Sequence, residues 1–153
     1  MLAMRRWVVR NAGLLERLYA MVRPLLRAAQ PVVWAIGPQR VHRPLAAVEG
    51  AVKGFLFDCN MCGRCALSGS GMSCPMNCPK QVRNGPCGGV RANGNCEVIP
   101  DMPCVWVKAW EGSRQMAEGD TILNVQQPVD QSIKETSTWL RVVREKTVGA
   151  AAR

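Results

Sequence analysis

Apolar residues recur at intervals of three and four near the start of the chain. Leu14, Leu15, Leu18, Met21, Val22, Leu25 and Leu26 form the stripe, while Arg5, Arg6, Arg10, Arg17 and Arg27 supply the polar positions. That period predicts an amphipathic helix over residues 2–27, kinked or restarted at Pro24. Pro31, Pro38 and Pro44 then punctuate a second apolar piece around Val32, Val33, Trp34 and Ile36. A lead-in from Val48 to Phe57, interrupted by Gly50 and Gly54, reads as a helix end or a short strand. Beyond it the periodicity stops. Residues 59–104 are too rich in Gly, Pro and Asn for long elements and predict loops with short helical turns, Asn93-Gly94 marking a hairpin and one small two-stranded ribbon. A helix is predicted over Val105–Met116, with Trp106 and Trp110 on one face as core or as a wall beside a cofactor. An extended linker, Val125–Pro128, leads to a last helix, Ser132–Lys146, carrying Ile133, Trp139, Leu140 and Val143, and to a frayed tail, Gly149–Arg153. No apolar run is long enough to span a bilayer.

Composition refines this outline at two points. A chain of 153 residues has room for one ordinary domain, or a small one with appendages. The net charge of +9 is unevenly placed: residues 1–53 hold nine basic and two acidic side chains, whereas residues 111–153 hold six of each. A basic amphipathic helix can pack its stripe on protein, lie on an anionic membrane surface, or touch nucleic acid. Packing on protein ranks first, because an apolar stripe left in water is costly, and nucleic acid ranks last. The first fifty residues lack serine, which counts against a transit peptide, and no secretory cleavage site is evident. The expected location is cytoplasmic, with membrane association through the basic helix as the variant.

Three parts result: a basic helical extension over residues 1–50, a Cys-rich domain over 51–110, and a linker with a helix over 111–153. The expected fold class is small α+β, an irregular metal-stapled Cys-rich domain with flanking helices. Phosphate loops, dinucleotide fingerprints and a nucleophile beside a histidine base are missing, so the chain is expected to make no bonds by itself. The sole histidine, His42, reads as a solvated loop residue.

The chemistry is concentrated in eight cysteines, Cys59, Cys62, Cys65, Cys74, Cys78, Cys87, Cys96 and Cys104, with none elsewhere. The triplet C-x2-C-x2-C is expected to set three thiolates around one point, as an iron–sulfur cluster requires. Disulfides fit poorly, since residues three apart on a tight loop seldom place their Cα atoms about 4.4–6.8 Å apart with converging Cβ vectors. Four-thiolate zinc is the serious rival, and eight cysteines would fill two such sites. Cys74-Pro75 and Cys78-Pro79 echo the ending of ferredoxin motifs, but they follow the triplet at the wrong distance for the ferredoxin fold. Arg64, Lys80, Arg83 and Arg91 lie among the cysteines, where cations would stabilise an anionic cluster, although for any single one of them a solvated loop charge is the favoured reading.

The run CPMNCPKQVRNGPCGGVRANGNCEV from Cys74 to Val98 is followed by Cys104-Val105-Trp106, by Gln127-Pro128-Val129-Asp130 and by Thr136-Ser137-Thr138-Trp139-Leu140. Over about residues 55–142 it resembles the C-terminal domain family of methylenetetrahydrofolate reductases. In acetogenic bacteria that family occurs as the small iron–sulfur partner of the flavin-bearing reductase subunit. The resemblance implies an electron-transfer subunit in one-carbon metabolism, with a flavin-bearing subunit and a redox protein as partners. The expected cofactors are two 4Fe–4S clusters. Cys59, Cys62 and Cys65 would serve one, Cys87 and Cys96 the other, with Cys74, Cys78 and Cys104 divided between them. The alternative is two zinc ions in a structural subunit that transfers no electrons.

Overall fold

The computed structural model describes residues 2–143. The predicted first helix breaks at Asn11 rather than at Pro24, giving α1 (Leu2–Arg10) and α2 (Ala12–Ala28). Asn11 leaves helical geometry (φ −115°, ψ 25°), and its side-chain amide donates to the Trp7 carbonyl at 2.8 Å. Such local competition for backbone partners is what makes asparagine a helix breaker. The bend also lets Gly13 lie against the Gln115 carbonyl, where a Cβ would collide. Pro24 is accommodated inside α2 on an exposed face, where water can satisfy the carbonyl that its ring leaves unpaired.

A short α3 (Gln30–Ile36) ends at Gly37, whose φ of 96° resets the direction for α4 (Pro38–Phe57). Pro38 sits at the first position of α4, where a missing N–H costs nothing. His42, predicted in a loop, is instead a half-buried residue of α4. The Val48–Phe57 lead-in is the end of this helix. Asp58, in left-handed geometry (φ 55°, ψ 49°), donates its N–H to the Gly54 carbonyl at 3.0 Å and hands the chain to Cys59.

The Cys-rich segment contains only single 3₁₀ turns, Leu67–Gly69 and Pro75–Asn77. The α+β expectation is corrected here: 58% of the described residues are helical, and among them the one β pairing is an isolated antiparallel bridge, Asn95 to Pro103. The Asn93-Gly94 turn does form, through Gly94 N–H to Arg91 O (2.8 Å) and Arg91 N–H to Asn95 O (2.9 Å). Pro100 and Pro103 lack the N–H groups that would extend it into a ribbon.

α5 (Val105–Ser113) follows, then 3₁₀ turns at Gly119–Leu123 and Gln131–Ile133. The last helix, α6 (138–143), begins later than predicted. Glu135 adopts a positive φ of 63° while donating its N–H to Met61 O at 2.8 Å, and Ser137 Oγ caps the helix by accepting from Leu140 N–H at 3.1 Å. The remainder of the predicted helix and the tail, 144–153, lie outside the described residues. The core joins the extension to the Cys-rich segment: Val8 and Ala12 are buried with Leu67, Met72, Cys74 and Met116. α1 packs against both α4 and α5. At Gly71 (φ 56°) and Gly112 the two backbones touch, and a Cβ on Gly71 would collide with Ala109 O and lie 2.6 Å from Ser113 N.

Candidate metal centre

Cys59 is delivered by the end of α4, and the loop that follows turns through Met61 (φ 45°) and Gly63 (φ 72°). Gly63 is required there, because a Cβ would press on the carbonyl of Ile133 and lie 3.0 Å from Thr136 Oγ1. Two asparagines tie this loop to the next cysteine: Asn77 Nδ2 donates to Phe57 O (2.9 Å) and Asn60 Nδ2 to Met76 O (3.3 Å). Cys59, Cys62, Cys65 and Cys74 therefore line one small cavity of ≈ 20 Å³. Cys74, unassigned by spacing, joins the triplet. Cys78, Cys87, Cys96 and Cys104 do not reach this cavity, and none of the eight forms a disulfide. Among the described residues no three His, Cys, Asp or Glu side chains converge closely enough to hold a single metal ion. The triplet thus rings a space, where spacing predicted three sulfurs around a point.

Protein dipoles and cations face these sulfurs. Met61 N–H donates to Cys59 Sγ at 3.4 Å, and Arg83 Nη1 stands 3.9 Å from Cys62 Sγ and 3.4 Å from Met76 Sδ. Arg83 is buried, and its Nη2 is fixed by the Arg64 carbonyl at 3.2 Å. The Nε atoms of Arg83 and Arg64 are both buried without a hydrogen-bond partner. Unsatisfied cationic donors in a wall of thiols are expected where an anionic group is to be held. Burial pushes the Cys74 thiol up to about 12, and burial likewise raises Cys59. Both are thiols at neutral pH, and a metal bound there would have to displace the proton.

Sequence reading missed the polar cluster behind this wall. Glu49, fully buried, accepts from Lys53 Nζ (2.6 Å), Ser137 Oγ (2.6 Å), Thr138 Oγ1 and Trp139 N–H (3.2 Å). Burial alone would raise its carboxyl, but the bonds from Lys53, Ser137 and Thr138 outweigh burial and hold it below the usual range. Burial would lower Lys53, but Cys65 and Glu49 outweigh it and hold the ammonium charged. Lys53 also donates to Thr138 Oγ1 (2.7 Å), lies 5.5 Å from the Trp139 ring centre and borders the cysteine cavity. The signal was present as two opposite charges four residues apart in an otherwise apolar lead-in.

The remaining cysteines sit in a looser setting. Cys96 N–H donates to Met102 O (2.9 Å) and Cys104 N–H to Gly94 O (3.0 Å), which sets both beside the Asn95–Pro103 bridge. Cys87 lies 3.7 Å from Glu97 Oε1, itself paired with Lys80. Of the four interleaved cations, Arg64 and Arg83 border the cavity, while Lys80 and Arg91 gather at Glu97. Trp106 is buried and donates to Val82 O at 2.9 Å, whereas Trp110 is exposed, and neither borders the cysteine cavity.

A family model described as methylene-tetrahydrofolate reductase C terminal matches residues 39–132, more than half of the chain. The chain belongs to that family. No curated protein and no solved structure matches it. The family's span begins at the start of α4 and takes in all eight cysteines, so the centre described above is the family's own segment. Ser137 and Thr138 lie just beyond the span, yet Glu49 binds them directly into it. No described helix is long and apolar enough to cross a membrane.

Proposed function

We propose that this chain is the iron–sulfur electron-transfer subunit of a methylenetetrahydrofolate reductase-like complex, relaying electrons between an external redox protein and a flavin in a partner subunit. The observation that carries this reading is the cavity itself: four cysteines from two segments line one space whose wall includes buried Arg83, orphaned Arg64 Nε and charged Lys53. A 4Fe–4S cluster with four thiolate ligands is anionic, and its potential is set by nearby charge, hydrogen bonds to sulfur and burial. The donors fit that group. Cys59, Cys62, Cys65 and Cys74 would ligate one cluster, and Cys78, Cys87, Cys96 and Cys104 a second. Such clusters, when bound, exchange single electrons. The chain's own residues hold the sulfurs, donate to them from the Met61 amide and Arg83, and keep cations against the site.

Iron, acid-labile sulfide and the visible spectrum of anaerobically purified protein test this reading. Roughly eight iron and eight sulfide per chain are expected for two 4Fe–4S clusters. Cys74→Ser and Cys104→Ser should each remove about half of that iron. A colourless protein holding two zinc ions and no iron would replace the electron relay with a structural subunit of the same complex.

A further inference from the structure

The apolar stripe of α2 is only half used inside the molecule. Leu15 packs on the core, but Met21 and Leu25 remain 64% and 69% exposed, and Leu18 and Val22 are open as well. Leu18 and Val22, with Val52 and Leu56 of α4 and Trp139 and Val142 of α6, wall a groove of ≈ 600 Å³. Cys65, the exposed member of the four-cysteine set, borders this groove, and Lys53 borders both the groove and the cysteine cavity. Arg64 and Arg141 lie on the groove wall. An adjoining depression, which shares Tyr19, Ser68, Met72 and Val142 with the groove, adds Arg17, Arg23 and Arg27. Acidic groups do not balance these cations. The groove lining contains no carboxylate, and in the depression Glu16 and Glu118 stand against three arginines, with Glu16 occupied by the amides of Ala117 (2.6 Å) and Glu118 (3.0 Å).

We propose that this groove is the docking seat of the protein with which the four-cysteine site exchanges electrons, a flavin-bearing subunit that presents an apolar projection ringed by carboxylates. The proposal rests on the electron-transfer reading above. Charge complementarity selects an acidic rim, which steers encounter and fixes register. Apolar walls from three helices select a projecting element over a flat lipid surface, which takes a convex amphipathic face. The exposed edge at Cys65 gives the seat its purpose: a partner lodged there lies against the most exposed cysteine of the set, Cys59 and Cys62 being half-buried and Cys74 buried, so the path for an electron out of the protein is short at that point.

The test uses anaerobically purified full chain and the flavin-bearing reductase subunit of the same organism, with the dissociation constant and the rate of flavin reduction or oxidation as readouts. Val22→Glu and Val52→Glu should each weaken binding at least tenfold and slow electron exchange in proportion. Arg23→Glu should weaken it and flatten its salt dependence. Val125→Glu, on an exposed apolar residue outside the groove, should change neither. Iron content and spectrum must match the parent in every variant, so that a folding defect is not read as lost docking. Parent-like binding by both groove variants, or no binding by the parent, overturns the seat while leaving an iron-bearing chain intact; absence of iron from the parent removes the electron-transfer reading itself. Loss in Val22→Glu of binding to 3:1 phosphatidylcholine–phosphatidylserine vesicles, with partner binding retained, overturns it in favour of lipid. Conversion of a dimeric parent to monomer by the same variant, again with partner binding retained, overturns it in favour of a second copy.

Discussion

The two halves of the cysteine block are built differently. Residues 59–74 start from a helix end, are tied to the turn at Asn77 through Asn60, and place Cys74 in the core, with Arg83, the buried side chain that the second half lends them, against the sulfurs. Residues 78–104 have one β bridge, exposed Cys87, Val98 and Ile99, and a surface ion pair. The first half is shaped by apolar packing that exists whether or not anything is bound. The second buries so little that, on the proposed reading, its order would come from what its thiols hold.

The most direct way to break this contrast is to strip whatever ions the cysteines hold. Chelation of reduced, anaerobic protein should bring backbone hydrogen exchange in 78–104 to near unfolded rates, while α4 and α5 keep most of their protection. Equal loss in both halves, or no loss in either, would end the distinction. Next in size is Glu49→Ala, which leaves Lys53 buried without its partner. Breaking a buried pair from one side costs about 3–5 kcal/mol, and urea unfolding should show that loss. The double variant Glu49→Leu with Lys53→Met should recover much of it, since apolar replacement of both partners is close to neutral. The sign of the pH effect follows from the lowered Glu49 carboxyl. Its contribution is complete above the ordinary carboxylate range and is lost as pH falls through the lower folded value, so Glu49→Gln should flatten the acid limb of the stability curve. Smaller again is Gly71→Ala, which puts a Cβ against Ala109 O at a positive φ. About 2–3 kcal/mol is expected from strain and overpacking together, read as a lower urea midpoint with iron content preserved.

How much of this was legible beforehand follows the same divide. The helical period located α2 and α5, and the density of cysteine, glycine and proline located the irregular segment between α4 and α5, because both are local signals. The break at Asn11 did not show in the periodicity: asparagine competes locally for the Trp7 carbonyl, and the bend also serves the fit of Gly13 against Gln115, more than a hundred residues away. Spacing grouped Cys59, Cys62 and Cys65 but could not place Cys74, whose position depends on side-chain bonds from Asn60 and Asn77. The predicted ribbon failed on Pro100 and Pro103, which the hairpin signal alone ignores. Glu49 and Lys53 were passed over because an i, i+4 pair is usually a solvated helix face, and only the return of Ser137 and Thr138 shows that this one is buried.

The smallest expected effect sharpens the comparison most, because it sets like against like. Lys80 and Glu97 form the second half's counterpart to Lys53 and Glu49, with the Lys80 ammonium donating to the Glu97 carboxylate, which lowers the acid and raises the base. Both groups stand in solvent. Water and salt screen such a pair, and fixing two long side chains costs entropy that offsets the attraction. Lys80→Ala should therefore leave the urea midpoint of the loaded protein unchanged within error, at low salt and at high salt, while Glu97 titrates nearer its ordinary value. A loss approaching that of Glu49→Ala would mean that residues 78–104 have an electrostatic core of their own, and that both halves are scaffolded before any ion binds.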